Sequence, residues 1–491
     1  MKFNNKYRNT IIASSVVIST ALFTGCSSDD DPVSSAGTTS VRVIHASADA
    51  PPVDIKLNNA VAAPGLDYPV STGFVSIDAG TYDVAVDAIV PGGNLEGVIS
   101  VDDITFEKDQ RYTVVAIGDV ADMSISEFVA AESAATPGAD EVAISVLHAA
   151  TAVAGIDVAV YVTEFDADIS STAPNFSFDF KGQADAGALP ASEYQIRVVA
   201  DGNTANPAYD SGKVDLSGFA GQKLLLLAVN TVNSTTKTAS PVKLVAYTDS
   251  AQLELLDTRT TAGARVVHLS PDAAIAAAGP VEVFASSSAL PSSPAELIPS
   301  FSYTETVPGT NSYVGVSAGD YIFDVAPDGA GIGSSVYTSP SISLATAAEY
   351  TVIASGYVLT SPAFDLLATQ DSNRSIVTQA SVKVAHGAPL AGTVDVYVTP
   401  AGQYTKEQVE GGIAGDPLLD DFTFGTITDY VTVPPGDYDI RVVTDSGAGT
   451  AAIDVTAFNL AAGSVSTVIA REPVSGGGAP SDFNLIVLSN Q

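Results

Sequence analysis

The stretch VRVIHASADAPPVDIKL, Val41–Leu57, decides how this chain is read, because three altered copies follow it. Ile144 opens ISVLHAATAVAGIDVAVYV, Ala264 opens ARVVHLSPDAAIAAAGPVEVFA, and Val382 opens VKVAHGAPLAGTVDVYV. The 491-residue chain has four histidines and each copy holds one: His45, His148, His268 and His386. Each copy reads as a short apolar strand, a corner and a second strand. The recurrence gives four related domains, each of an ordinary size of about 110 residues.

Working outward, Phe74–Ile77 and Tyr82–Ala88 flank the turn at Asp78-Ala79-Gly80-Thr81. Val98–Phe106, Tyr112–Gly118 and Ser124–Val129 complete about seven short strands in the first repeat. Valine, isoleucine, threonine and tyrosine are frequent and suit a pleated, half-buried surface. Forty glycines and 27 prolines punctuate the chain, and no long amphipathic helical stretch interrupts it. The pattern predicts an all-β chain of four tandem immunoglobulin-like, Greek-key β-sandwiches at 40–138, 139–259, 260–377 and 378–491. Repeat three carries extra residues between His268 and Glu282 and a serine- and proline-rich insertion over Ser286–Pro299. Short linkers near Ser133–Asp140, Asp257–Gly263 and Asp371–Thr378 predict a semi-rigid arrangement of neighbours.

The N-terminus reads as an address. Lys2, Lys6 and Arg8 form a positive start, and Ile11–Phe23 is a 13-residue, mostly apolar run, too short to span a bilayer. Leu22-Phe23-Thr24-Gly25-Cys26 follows and resembles a bacterial lipobox, with Phe23 where that pattern prefers leucine. Residues 1–25 are expected to be a signal peptide. Cys26, the one cysteine of the chain, is the expected lipidation site, and 26–39 a flexible tether. The resemblance implies that Ser27, in place of aspartate, permits transfer to the outer membrane. It leaves open whether the protein faces the periplasm or the cell surface. The expected partner is therefore a membrane, reached through two or more acyl chains.

The formal net charge is −36. Without the first 25 residues, 17 basic and 56 acidic side chains remain, a net charge of −39. Such a surface repels nucleic-acid phosphates and gains nothing from anionic lipid. It reads as a solvated acidic surface, with dedicated cation sites as the alternative.

Three residues recur in each repeat: a histidine, an acid, and a tyrosine after a turn. The acids are Asp54, Asp157, Glu282 and Asp395; the tyrosines are Tyr82, Tyr194, Tyr321 and Tyr438. A functional reading makes histidine and acid a metal or acid–base pair. One histidine and no cysteine per repeat is a poor ligand count for a metal, so the favoured reading is a hydrogen-bonding role at a strand corner. The tyrosines look like the tyrosine corner of Greek-key sandwiches. Gly315-Val316-Ser317-Ala318-Gly319 satisfies G-x-S-x-G but leads into a strand, whereas a nucleophile elbow needs a following helix. No cofactor-binding motif is present.

The repeats resemble the domain of unknown function 4397 family. The motif is carried by Arg42-Val43-Ile44-His45-Ala46-Ser47, Asp49-Ala50-Pro51-Pro52-Val53-Asp54 and Ala79-Gly80-Thr81-Tyr82. The resemblance implies a secreted or surface β-sandwich. The expected function is a non-enzymatic cell-envelope lipoprotein presenting tandem domains for binding, adhesion or scaffolding toward a protein or glycan ligand. The alternative is a hydrolase or carbohydrate-active accessory protein with an unlocated carboxylate site. Binding is expected in the variable loops Ser286–Pro299 and Tyr404–Asp416.

Overall fold

The computed structural model describes residues 37–490, apart from 131, 134, 201, 291, 445–449 and 474–482. The expected signal peptide and Cys26 lie outside the described residues. The chain divides into two compact units: residues up to Thr231 with Ala239–Arg259, and Val232–Thr238 with Thr260–Gln491. Each unit contains two sandwiches.

All four sandwiches share one topology. With strands numbered within a repeat, one sheet runs 4-1-7-8 and the other 3-2-5-6. The opening strands are Thr38–His45, Glu141–His148, Ala262–Leu269 and Ala380–His386. Each pairs in parallel with the seventh strand of its repeat: Arg111–Ile117, Lys223–Asn230, Glu349–Ser355 or Val465–Arg471. Repeat two adds a ninth strand, Gln252–Leu255, beside its eighth, Val242–Tyr247, and repeat three departs in detail. Its fourth strand is split into Thr306–Val307 and Val314–Val316, and its sixth into Tyr337–Thr338 and Ile342–Leu344.

The parallel pair sits mid-sheet, and its strands carry apolar side chains on both faces, as in Glu141–His148 and Lys223–Asn230, so both faces need cover. One face is covered within the repeat. Val43 packs with Val53, Ile55, Leu66 and Val86, and Ile144, Val146, Leu224 and Leu226 enter the core of repeat two. Side chains alternate along a strand, so Ile44, Val115 and Ile117 face the other way, as do Leu147, Leu225, Leu227 and Val229; all are buried. Their cover is the neighbouring repeat of the same unit. In the second unit the apolar layer between the repeats is Val267, Leu269 and Ile353 from repeat three with Ala385, Ile469 and Leu488 from repeat four.

Polar side chains on the same faces lock each pair. Arg42 lies three residues before His45. Its guanidinium donates to Thr113 Oγ1 at 3.0 and 3.2 Å and crosses to the Thr248 carbonyl of repeat two at 2.8 Å. The Arg42 and Arg111 guanidinium carbons both lie over the Phe74 ring, 4.5 and 3.8 Å from its centre. Burial pushes the Arg42 guanidinium down to about 10, with Glu132 pulling the other way. Lys223 of repeat two returns the contact, donating to the Ser133 carbonyl at 2.8 Å.

In the second unit, Arg265 occupies the place of Arg42. It donates to Thr351 Oγ1 at 3.1 Å, to the Ser489 carbonyl of repeat four at 2.8 Å and to Asn490 Oδ1 at 2.6 Å. Lys383, three residues before His386, reciprocates by donating to Thr369 Oγ1 at 2.8 Å and to the Gln370 carbonyl of repeat three. Asp371 lies between the two cations, 3.3 Å from Arg265 and 3.4 Å from Lys383, and its side chain is fully buried. The segment beginning at Asp371 is thus part of the joint between repeats three and four, not an exposed spacer.

A buried carboxylate that loses one counter-ion is costly. Replacing Arg265 with methionine is expected to destabilise the second unit by about 3 kcal/mol, the low end for breaking a buried pair, because Lys383 still faces Asp371. Chemical denaturation followed at the second unit's tyrosines checks this; an unchanged midpoint would mean that the network contributes nothing.

Candidate functional site

His45, His148 and His386 end their opening strands and His268 is one residue short of the end of its own, each with its ring inside its own sandwich. All four are almost completely buried. The last residue of the third strand (Phe176–Phe178, Ala295–Phe301 or Leu419–Phe422) and the aromatic two residues on bracket them: Phe178 and Phe180 around His148, Phe301 and Tyr303 around His268, Phe422 and Phe424 around His386. In repeat one, Tyr68 takes the second of these positions, 6.4 Å from His45.

The ring nitrogens hold the corner that follows. Nδ1 accepts from the N–H two residues on: Ala150 at 3.3 Å, Ser270 at 3.2 Å and Ala388 at 3.3 Å. On the other side of the ring, Nε2 meets the Pro51 carbonyl at 3.1 Å in repeat one and the Gly392 carbonyl at 2.9 Å in repeat four. For His386 the two partners fix a neutral tautomer that carries its proton on Nε2. Backbone bonds complete the corner, with Thr304 N–H donating to the His268 carbonyl and Gly425 N–H to the His386 carbonyl. Lys181, Thr304 and Gly425, each one residue past the aromatic pair, all take a left-handed conformation.

The acids do not join the histidines. Val53, Val158, Val281 and Val394 enter their cores. Asp54, Asp157, Glu282 and Asp395 therefore lie on the outer face of the same sheets. Asp54 Oδ1 accepts from Gly65 N–H at 2.8 Å and Asp395 Oδ1 from Asp421 N–H at 3.1 Å, and both pin a left-handed bulge residue of the third strand. Glu282 is buried under the 329–331 loop and accepts from Gly329 and Gly331. Asp157 lies beside the Asp179 carboxyl, whose hydrogen bonding and negative charge raise the Asp157 pKa. A histidine–acid pair is thus not assembled in any repeat.

The four tyrosines behave alike. Tyr82, Tyr194, Tyr321 and Tyr438 donate to the carbonyls of Asp78, Pro190, Ser317 and Pro434 at 2.7–2.8 Å, each four residues back. The acceptor is backbone, so its side chain is free to vary. Ser317 of the G-x-S-x-G stretch supplies a carbonyl to this corner, and the stretch leads into the strand Gly319–Pro327.

Of the two loops singled out, Tyr404–Asp416 is packed. Lys406–Glu410 is a helix with a Thr405–Gln408 capping box, and Val409 buries against Val443 and Ala451. Beside it, the carboxylates of Asp395, Asp420 and Asp421 lie within 4.8 Å of one another. Mutual repulsion contributes to holding the Asp420 carboxyl above the usual range, after desolvation. Sequence reasoning missed the aromatic pairs, although F-D-F, F-S-Y and F-T-F are visible at 178–180, 301–303 and 422–424. Among the described residues, no helix is long and apolar enough to cross a membrane.

Burial lowers the imidazole pKa values of His148 and His386, and pushes His268 down to about 4. The unfolded chain titrates near 6.5. The folded state thus holds His268 neutral: its contribution is fully present above pH 6.5 and is lost as pH falls toward 4. The second unit is expected to lose up to about 3 kcal/mol through this group over that window. His268→Asn keeps an acceptor for Ser270 N–H. A pH series of denaturation midpoints on both proteins should show a shallower acid decline for the variant; identical slopes would refute the neutral-histidine account.

No curated protein matches the chain. Among solved structures, the Bacillus anthracis TIE protein is similar at 10% identity and a TM-score of 0.14, over 85% of this chain and 65% of that one. A candidate cell adhesion protein from Bacteroides uniformis is similar at 10% identity and a TM-score of 0.18, over 48% of this chain and 99% of that one. Ligand-free PulA from Klebsiella pneumoniae is similar at 16% identity and a TM-score of 0.17, over 67% of this chain and 31% of that one. A family model described as a domain of unknown function, DUF4397, matches residues 39–159, 262–397 and 404–491, and the chain belongs to that family.

Proposed function

We propose that this chain is a non-enzymatic cell-envelope lipoprotein that presents paired β-sandwiches as a binding or scaffolding surface. The observation that carries the reading is the coincidence of the one cysteine, Cys26, with the end of a signal-like N-terminus. Acylation there would tether the sandwiches to the outer membrane, for which Ser27 is the permissive residue. Two further features support a scaffold over a catalyst. The recurring histidines and tyrosines are engaged in holding corners. The acids hold bulges and loops on the opposite side of the sheet from the histidines. Four copies of one architecture on a tether suit weak, repeated contacts with a surface protein or glycan, where avidity raises a modest affinity by orders of magnitude.

The test is Cys26→Ser, compared with wild type by fractionation and by incorporation of labelled palmitate. The variant is expected to lose the label and leave the membrane fraction for the soluble one. Wild-type partitioning by the variant would overturn the lipoprotein reading.

A further inference from the structure

The four sandwiches share a topology but not a filling. Between the sheets of repeat two lies a void of about 30 Å³, and in repeat four one of about 50 Å³. The same place in repeat three holds a cavity of about 420 Å³. That is nearly three times a dry apolar cavity of roughly 150 Å³, which already accepts benzene. It falls within the ~300–1,000 Å³ of ligand pockets.

Local sequence opens the space. Four residues before the histidine, repeats one, two and four carry Val41, Ile144 and Val382, whereas repeat three has Ala264. The fourth and sixth strands of repeat three, edge strands on opposite sides of the sandwich, are each broken in two. The sheets therefore part at both edges. Apolar lining residues reach solvent there: Leu297 and Val314 on one side, Val336 and Val358 on the other, all at least 36% exposed. Exposed aliphatic residues continuous with an apolar interior mark an entrance more readily than a packing defect.

The chemistry of the walls selects the occupant. The lining is aliphatic and aromatic, with His268, Tyr321, Tyr337 and Tyr357 as its polar members, and contains no lysine or arginine. Tyr337 donates to Asp365 at 2.7 Å and Tyr357 to Glu472 at 2.8 Å. Asp272 lies close by, accepting from the N–H of Val358 and Leu359. An anionic head group would meet no cation in the lining and three carboxylates around it; Arg471, the cation beside Glu472, already donates to the Glu472 carbonyl at 3.2 Å. We infer that repeat three is a binding site for a neutral amphiphile, a single medium-length aliphatic chain with an uncharged head, held between the two sheets.

The test uses the full chain, stripped of lipid by organic extraction and refolded, titrated with the neutral dye Nile red and then with competitors. One saturable dye site is expected. Dodecanol should displace the dye at concentrations at least tenfold below those needed for dodecanoate, and should raise the melting temperature of the chain. Two variants check the location. Ala354→Phe fills the cavity from the seventh strand, and Val336→Asp places a charge at an exposed edge, where little effect on folding is expected. Each should weaken dye binding at least tenfold. Should Ala354→Phe fail to fold, Val336→Asp decides alone. Absence of a saturable site in wild type, or wild-type binding by folded variants, overturns the site. Equal competition by dodecanoate overturns the selection for a neutral head.

Discussion

The parallel pairing of the first and seventh strands is the constraint on which the rest depends. It places the VRVIH stretch and its copies in the middle of a sheet, where the strand has no free edge and no face toward water. One face finds its cover in the second sheet of the same repeat. The other is apolar as well and needs another body against it. Neighbouring repeats supply that body to each other, so the structural unit of this chain is a pair of sandwiches.

Pairing buries charge. Arg42 and Arg265 lie among the largest fully buried side chains, a position that is tolerable only because their donors are taken up by threonine hydroxyls, carbonyls and acids. These bonds specify as much as they stabilise. Each arginine reaches a carbonyl at the end of the partner's eighth strand, Thr248 just past Val242–Tyr247 or Ser489 closing Asn484–Ser489, and only one register satisfies it. In the second unit the arrangement is nearly two-fold, with Lys383 answering Arg265. In the first unit Ser145 stands where a reciprocal cation would be, and Lys223 on the seventh strand performs the return contact instead. The repeats have thus diverged into members of a pair that are no longer interchangeable.

The sequence made the repeats, the all-β class and the sandwich architecture legible, because period-two apolar patterns and turn residues act locally. What it hid was non-local. The 4-1-7-8 order joins first and seventh strands whose paired residues are 71 to 86 positions apart, and nothing at Arg42 marks it as buried; an arginine between two valines reads as the solvent side of an edge. A hint existed in Leu224-Leu225-Leu226-Leu227-Ala228-Val229, whose continuous apolar run suits a strand covered on both faces. The histidines and tyrosines announced themselves by repetition, yet repetition could not say that histidine and acid point to opposite faces. That follows from strand parity once the core valine beside each acid is known. The cavity in repeat three was foreshadowed only by its extra residues; Ala264 acquires meaning when set beside Ile144 and Val382 in the same structural position.

Calorimetric unfolding of the full chain tests the paired-repeat account most directly. Unfolding enthalpy near 60 °C is about 0.7 kcal/mol per residue, so a cooperative pair should absorb roughly 150 kcal/mol and a lone repeat roughly 75. If the sandwiches fold as pairs, every resolved transition has a van't Hoff enthalpy of at least the pair size. Transitions of single-repeat size, with one sandwich melting while its partner stays folded, would contradict it.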